Sequence, residues 1–263
     1  MIIDFHTHAF EDELAKKAIP ILAELSGLIP YSDGTVKDIL RVAKVGGADK
    51  IVISPVATKP SQQRKINDWA SSINNGDIIA FGSIHPDAND ALEELERIVA
   101  LGLKGIKLHP EYQDFFVDEP RLKLIYEKIG KLGLIVIFHA GVDLGYEAPY
   151  HCTPEKMKNA LPMLSGAHVI AAHLGGFRMW DEVEEHLCGK ELYLDTAFTF
   201  GHIKSIQVER IIDSHGAEKI LLGSDLPWHD TGKHMDFINQ LNISDYEKNR
   251  IFGGNAQKLL GIS

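Results

Sequence analysis

The chain has 263 residues and is poor in cysteine, with only Cys152 and Cys188, far apart and outside any CxxC spacing. A disulfide framework and a thiolate zinc site are therefore excluded, and a reduced, cytoplasmic setting is the expectation. Long apolar runs are missing too: no segment approaches the roughly 20 continuous apolar residues of a membrane-spanning helix. No basic region followed by an apolar stretch opens the chain, so no signal peptide is expected. Positive charge is outnumbered, 27 Lys plus Arg against 37 Asp plus Glu, and forms no block. The net charge of −10 argues against nucleic acid or anionic membrane as a main partner and leaves a small molecule. Low-complexity segments and composition breaks are absent as well, so residues 1–263 are expected to form one domain. A homo-oligomer stays open.

Short apolar runs rich in Val, Ile and Leu recur along the chain. Strands are expected near Ile2–Phe5, Lys50–Ser54, Ile78–Ser83, Leu103–Leu108, Leu134–Phe138, His168–Ala172, Leu192–Leu194 and Lys219–Leu222. Several are too uniformly apolar to keep a wet face, which suits strands of a parallel sheet covered on both sides. Amphipathic stretches lie between them. "DALEELERIVALG" places Leu92, Leu95, Ile98 and Val99 at helical spacing and ends at Gly102. "EPRLKLIYEKIGKLG" carries Pro120 near its start and Gly133 at its end. The first crossover, Phe10 to Asp49, is the longest and has room for an extra helix, and three more helices are expected after the last strand. Eight strand–helix units in a chain of this length predict a parallel (β/α)8 TIM barrel. An open doubly wound sheet is the alternative, but "HTHAFED" after the first strand is unlike a GxGxxG phosphate turn.

What the chain has in excess is histidine, 13 in all. Chemistry in such a barrel sits at the C-terminal ends of the strands. Strand one ends in His6 and His8, strand three in His85, strand four in Lys107 and His109, strand five in His139, strand six in His173 and strand eight in Asp225. Residues two apart share a face of a strand, so His6 and His8 point the same way, as do Lys107 and His109. A single histidine at a strand end is more often a hydrogen-bonded structural residue than a ligand. Several strands placing imidazole and carboxylate at one level instead predict a divalent-metal site. His151, His168, His186, His202, His215 and His234 fall in loops, helices or strand starts and are expected to be solvated or locally bonded.

The order HxH after strand one, His after strand five, "AHLGG" after strand six and "GSDLPW" after strand eight resembles the amidohydrolase superfamily. More narrowly it resembles the amidohydrolase-2 branch, which includes aminocarboxymuconate-semialdehyde decarboxylase and related aromatic acid decarboxylases. The closing "GGNAQKLLGI" is also similar to that branch. The resemblance implies that His6, His8, His139 and Asp225 bind the metal, with His173 and Asp225 as catalytic residues. Zn²⁺ is the first choice and Mn²⁺ the second. Binuclear relatives hold a carboxylated Lys or a Glu on strand four, where this chain has Lys107. One essential ion is therefore expected, with a second open.

The metal lowers the pKa of a water from about 16 toward 7. Asp225 is placed to take its proton, and His173 to polarise the electrophile or return a proton to the leaving group. Lys107, His109 and Arg178 are candidates for an anionic group of the substrate. Tyr112, Phe115, Trp180 and Trp228 are candidates for an apolar pocket wall, and Asp195 for a support behind the ligands. The expected activity is hydrolysis of a C–N or C–O bond in a small, carboxylated or neutral, molecule. The alternatives are non-oxidative decarboxylation of an aromatic or unsaturated acid and, ranked last, a metal-binding barrel without chemistry.

Overall fold

The computed structural model describes residues 1–262, so Ser263 lies outside the described residues. Eight strands appear where the apolar runs place them: β1 (Ile3–Thr7), β2 (Lys50–Ile53), β3 (Ile78–Ala80), β4 (Gly105–Leu108), β5 (Ile135–Phe138), β6 (His168–Ala171), β7 (Tyr193–Asp195) and β8 (Ile220–Leu221). Two helices fill the long first crossover, α1 (Asp12–Ser26) and α2 (Val36–Val45). One helix follows each of the next six strands: α3 (Gln63–Ile73), α4 (Ala91–Ala100), α5 (Lys123–Lys131), α6 (Pro154–Ala160), α7 (Trp180–His186) and α8 (Ser205–His215). The chain closes with α9 (Thr231–Gln240), α10 (Asp245–Asn249) and α11 (Asn255–Leu260).

All pairings are parallel and sequential, β1-β2-β3 in one arc and β4-β5-β6-β7-β8 in the other. The arcs meet at both edges. Gly82 N–H donates to Gly105 O at 2.8 Å and Lys107 N–H to Gly82 O at 2.9 Å, joining the strand-three and strand-four regions. Phe5 N–H donates to Leu222 O at 2.7 Å and Asp225 N–H to His6 O at 2.8 Å, joining the last strand to the first. These bonds satisfy the edge groups that an open sheet would leave to solvent, and the eight strands form a TIM barrel.

Alternation along the strands separates interior from exterior. Val52 joins Phe5, Phe81, Ile137 and Ile170 inside the barrel, whereas Ile51 and Ile53 pack outward against Ile39, Val42 and Ala43 of α2. Those three sit at i, i+3 and i+4, the spacing of one buried helix stripe. The Thr35 hydroxyl caps α2 by accepting from Asp38 N–H. β1 departs from strict alternation: Asp4 pairs with Ile51 and Thr7 with Ile53, so one extra residue bulges from the strand. The bulge lets Phe5 fill the interior while His6, the next residue, also turns inward at the mouth.

The expected helix stripes hold with local exceptions. α4 buries Leu95 and Ile98 but leaves Leu92 and Val99 exposed at the margins of its apolar face. α1 is the outlier. It spans 15 residues yet buries only Ala15 and Ile19.

Candidate metal centre and catalytic cavity

His6, His8 and Asp225 meet at the barrel mouth. The Nε2 atoms of His6 and His8 are 3.2 Å apart, and Asp225 Oδ1 lies 3.4 Å from the first and 3.1 Å from the second. Gly223 makes the fit possible, because a Cβ there would sit 2.9 Å from the His6 Cβ. The far side of each ring is tied down. His6 Nδ1 lies 2.8 Å from Asp195 Oδ2, and His8 Nδ1 lies 2.9 Å from the carbonyl of Ser54. Carbonyl and carboxylate oxygens accept, so both Nδ1 atoms carry the proton and both Nε2 atoms present a lone pair. Asp195 is itself fixed, its Oδ1 accepting from the N–H groups of His173 and Ala197 at 3.0 Å.

The same reasoning runs through the next two histidines. His173 Nδ1 donates to the Ala197 carbonyl at 2.9 Å, leaving Nε2 to accept from His139 Nδ1 at 3.1 Å. His139 Nε2 is then a third lone pair, buried and without a hydrogen-bond partner. The His6 and His8 lone pairs and the Asp225 carboxylate oxygen crowd one point, an arrangement that a cation among them relieves, and Lys107 Nζ stands 3.1 Å from His6 Nε2. Burial holds His6 and His139 well below the usual imidazole range, with Lys107 adding to the effect at His6 and His109 at His139. Burial also works to raise the Asp225 carboxyl, yet His8, His6 and His173 outweigh it and hold the group well below the usual carboxylate range. His6, His8 and Asp225 offer three donor atoms within 4.8 Å of one another, a set that fits a divalent ion, while His139 falls in a neighbouring group with His109 and Asp143.

Two of these residues sit in strained backbone. His173 has φ 60° and Asp225 φ 72°, the left-handed region that non-glycine residues avoid. The Asp225 amide is tied to the His6 carbonyl. The Trp180 indole holds His173 by donating to its carbonyl at 3.1 Å.

A second cluster lies beside the first. His109 stacks on His139 with ring centroids 4.2 Å apart, and its Nε2 is 3.3 Å from Asp143 Oδ2. Tyr112 N–H donates to His109 Nδ1 at 3.4 Å, so Nε2 carries the proton on the side that faces Asp143. His109, His139 and Asp143 also have the spacing of a metal group, and His139 Nε2 there has no hydrogen-bond partner. Gln113 positions His109 by accepting from its amide at 2.9 Å while its NH₂ donates to the carbonyls of Ala57 and Ile84. Lys107 is buried with Nζ 3.1 Å from His6 Nε2. Burial pulls its amine down to about 8 against the pull of Asp195 and Asp225.

His6, His8, Lys107, His109, His139, His173 and Asp225 are thus brought together. Arg178 is not: it is exposed, and its guanidinium lies over the outer Phe177 ring, 5.2 Å from the centroid. His85 is buried away from the cavity and accepts from the Asp87 amide. Tyr112 and Trp228 line the cavity as expected, whereas Phe115 and Trp180 belong to the packed core. Asp143 was not singled out in the sequence. It stands four residues beyond His139 in an irregular loop, where neither strand nor helix period applies. Asp4 was also missed. It lies buried beneath the site and accepts from the hydroxyls of Ser224 and Thr231, each at 2.6 Å.

The family profile described as amidohydrolase matches residues 3–262. No curated protein sequence matches the chain. Among solved structures, 5-carboxyvanillate decarboxylase from Sphingomonas paucimobilis is similar at 16% identity and TM-score 0.75, covering 100% of this chain and 99% of that one. 2,6-Dihydroxybenzoate decarboxylase from Rhizobium is similar at 17% identity and TM-score 0.70, covering 99% and 98%. A dihydroxybenzoic acid decarboxylase from a Polaromonas species, with bound manganese and the inhibitor 2-nitroresorcinol, is similar at 17% identity and TM-score 0.71, covering 99% and 96%. At these identities the structures speak for the TIM-barrel fold, and the profile for the family. The chain belongs to the amidohydrolase-2 family of enzymes.

Proposed function

We propose that the chain is a metal-dependent hydrolase that cleaves a C–O or C–N bond of a small molecule. The observation that carries this is the convergence of the His6 and His8 Nε2 atoms on Asp225 Oδ1 within 3.1–3.4 Å, at the floor of a deep cavity. His6, His8, His139 and Asp225 would hold one divalent ion, Zn²⁺ by donor chemistry, with Mn²⁺ second because the Polaromonas relative binds it. When bound, the ion supplies Lewis acidity and lowers the pKa of a neighbouring water toward 7. Asp225, ionised, orients that water and takes its proton as the new C–O bond forms. His173 lines the same space with Nδ1 anchored on the Ala197 carbonyl, and its Nε2, held by His139 Nδ1, would exchange a proton with the substrate's carbonyl oxygen or leaving group in place of that contact. Lys107 and His109 stand ready for negative charge developing on the substrate. Asp195 keeps His6 in the tautomer that points its lone pair into the site.

Decarboxylation is the second reading, favoured by the three structural relatives named as decarboxylases. In it, the substrate carboxylate meets the same residues, a proton is delivered to the carbon that bears it, and the C–C bond breaks to release CO₂. One experiment separates the two. The metal-loaded enzyme is run in H₂¹⁸O with panels of esters, amides, lactones and aromatic acids. Label in the product carboxylate, with no CO₂, is the expected result. CO₂ release without label would replace hydrolysis by decarboxylation.

A further inference from the structure

The cavity does not stop at the metal centre. One continuous space of about 750 Å³ begins at His8, His139 and Asp225 and extends to α1, where it meets Leu14, Leu22 and Leu25. That volume is of the size that takes a drug-sized ligand. With Ala18, the α1 residues lie at spacings of four, four and three, so they share one helix face about 16 Å long. Ile66 and Trp69 of α3 are also among the apolar residues of the lining.

This face is only partly covered by protein, the Leu25 side chain lying against Gly145. Leu14 is 50% and Leu25 56% exposed, although both line the cavity. Charge is confined to the rim, where Glu11 and Lys65 pair with each other at 3.2 Å. Among the described residues the cavity wall contains no arginine, and its only other cation is Lys107 at the metal end.

We propose that the substrate carries a long apolar acyl chain, laid along α1 with its reacting carbon at the metal centre. The proposal rests on the hydrolytic reading for the head of the substrate, and on the α1 face alone for its tail. Covering half-exposed leucines with a chain removes apolar surface from water on both partners. Because the wall is continuous with the catalytic floor, the molecule that covers it is also the one that reacts.

The test is binding. The metal-loaded enzyme is titrated with straight-chain carboxylates from ethanoate to dodecanoate, read by the fluorescence of Trp69 and Trp228 in the cavity wall. Affinity is expected to tighten about fourfold per methylene through the middle of the series. Leu14→Gln and Leu25→Gln, at half-exposed positions that tolerate polarity, should each weaken dodecanoate about tenfold with metal content unchanged. Ile21→Gln, on the same helix but outside the cavity, should leave the slope as it is. An affinity independent of chain length would overturn the proposal, as would a slope that survives in both leucine variants or is lost equally in Ile21→Gln. The readout needs no turnover. A slope without hydrolysis leaves the tail assignment standing and removes the hydrolytic reading. Hydrolysis of short substrates without a slope does the reverse.

Discussion

The floor and the far wall of the cavity are built in opposite ways. At the floor nearly every polar atom is spoken for: Asp4 binds Ser224 and Thr231, Asp195 binds His6 and the backbone of His173 and Ala197, and Ser54 orients His8. Among the site imidazoles, His139 Nε2 is buried without a hydrogen-bond partner. At the far wall Leu14 and Leu25 of α1 stand half in water, with Ser26, Thr58, Ser61 and Gln62 as the uncharged polar residues of the lining nearby. The contrast teaches where each kind of information resides. A floor that handles charge must be rigid and hydrogen-bonded, because a misplaced buried dipole is costly. A wall that sorts apolar shapes gains from being under-packed until its ligand arrives.

The largest expected effect strikes the floor. Asp225→Asn keeps the shape but removes the carboxylate, and kcat should fall about 10³-fold; turnover within tenfold of wild type would remove Asp225 from the reaction. Asp4→Ala leaves two hydroxyls and the Ser224 amide buried without their acceptor. Urea unfolding should record a loss of about 3 kcal/mol, and an unchanged midpoint would show that this network carries no stability.

Asp195→Ala frees the His6 ring to turn. Metal affinity, measured by competition with a chelating dye, should weaken roughly 10- to 100-fold. An unaltered affinity would mean that the bulge of β1 orients His6 by itself. The pH profile gives a further contrast. Burial, with His229 adding to it, lowers His234 to about 3 from the ordinary 6.5. The unfolded chain therefore takes up a proton near pH 6.5 that the folded chain refuses until about pH 3. The stabilisation is complete above pH 6.5 and is lost as the pH falls through that window, by about 2 kcal/mol at pH 5. His234→Phe should lose correspondingly less stability than wild type between pH 7 and pH 5, and parallel profiles would contradict the assignment.

The smallest effect belongs to the wall. Leu25→Ala, at a half-exposed site, should change stability by less than about 1 kcal/mol. Ile39→Ala, fully buried in α2 of the same crossover, should cost about 3 kcal/mol. Equal losses would mean that α1 is packed in solution and its leucines are not a vacant wall.

Much of the floor was readable from the residues alone. Strands such as Ile135–Phe138 are buried along their whole length and leave continuous apolar runs, so all eight could be placed. His6 and His8 follow from the two-residue period, whereas Asp195 was singled out by the family resemblance. Other features depend on contacts that no local period encodes. Asp143 reaches His109 through an irregular loop. Arg178 turns outward because the loop after β6 passes through left-handed backbone, with φ 60° at Arg178 itself. Phe115 and Trp180 are aromatic and close to strand ends, as a pocket wall requires, but they fill the core. The extra helix in the first crossover was expected from length. Its apolar face toward the metal centre emerges only when the barrel brings α1 over the mouth.

The central claim is the proposal that His6, His8, His139 and Asp225 hold one divalent cation. Elemental analysis of the purified chain, reconstituted with Zn²⁺ or Mn²⁺ and desalted, tests it directly beside the double variant His6→Ala/His8→Ala. The account predicts about one equivalent of metal in the wild type and none in the variant. No retained metal in the wild type, or equal metal in both, would contradict it.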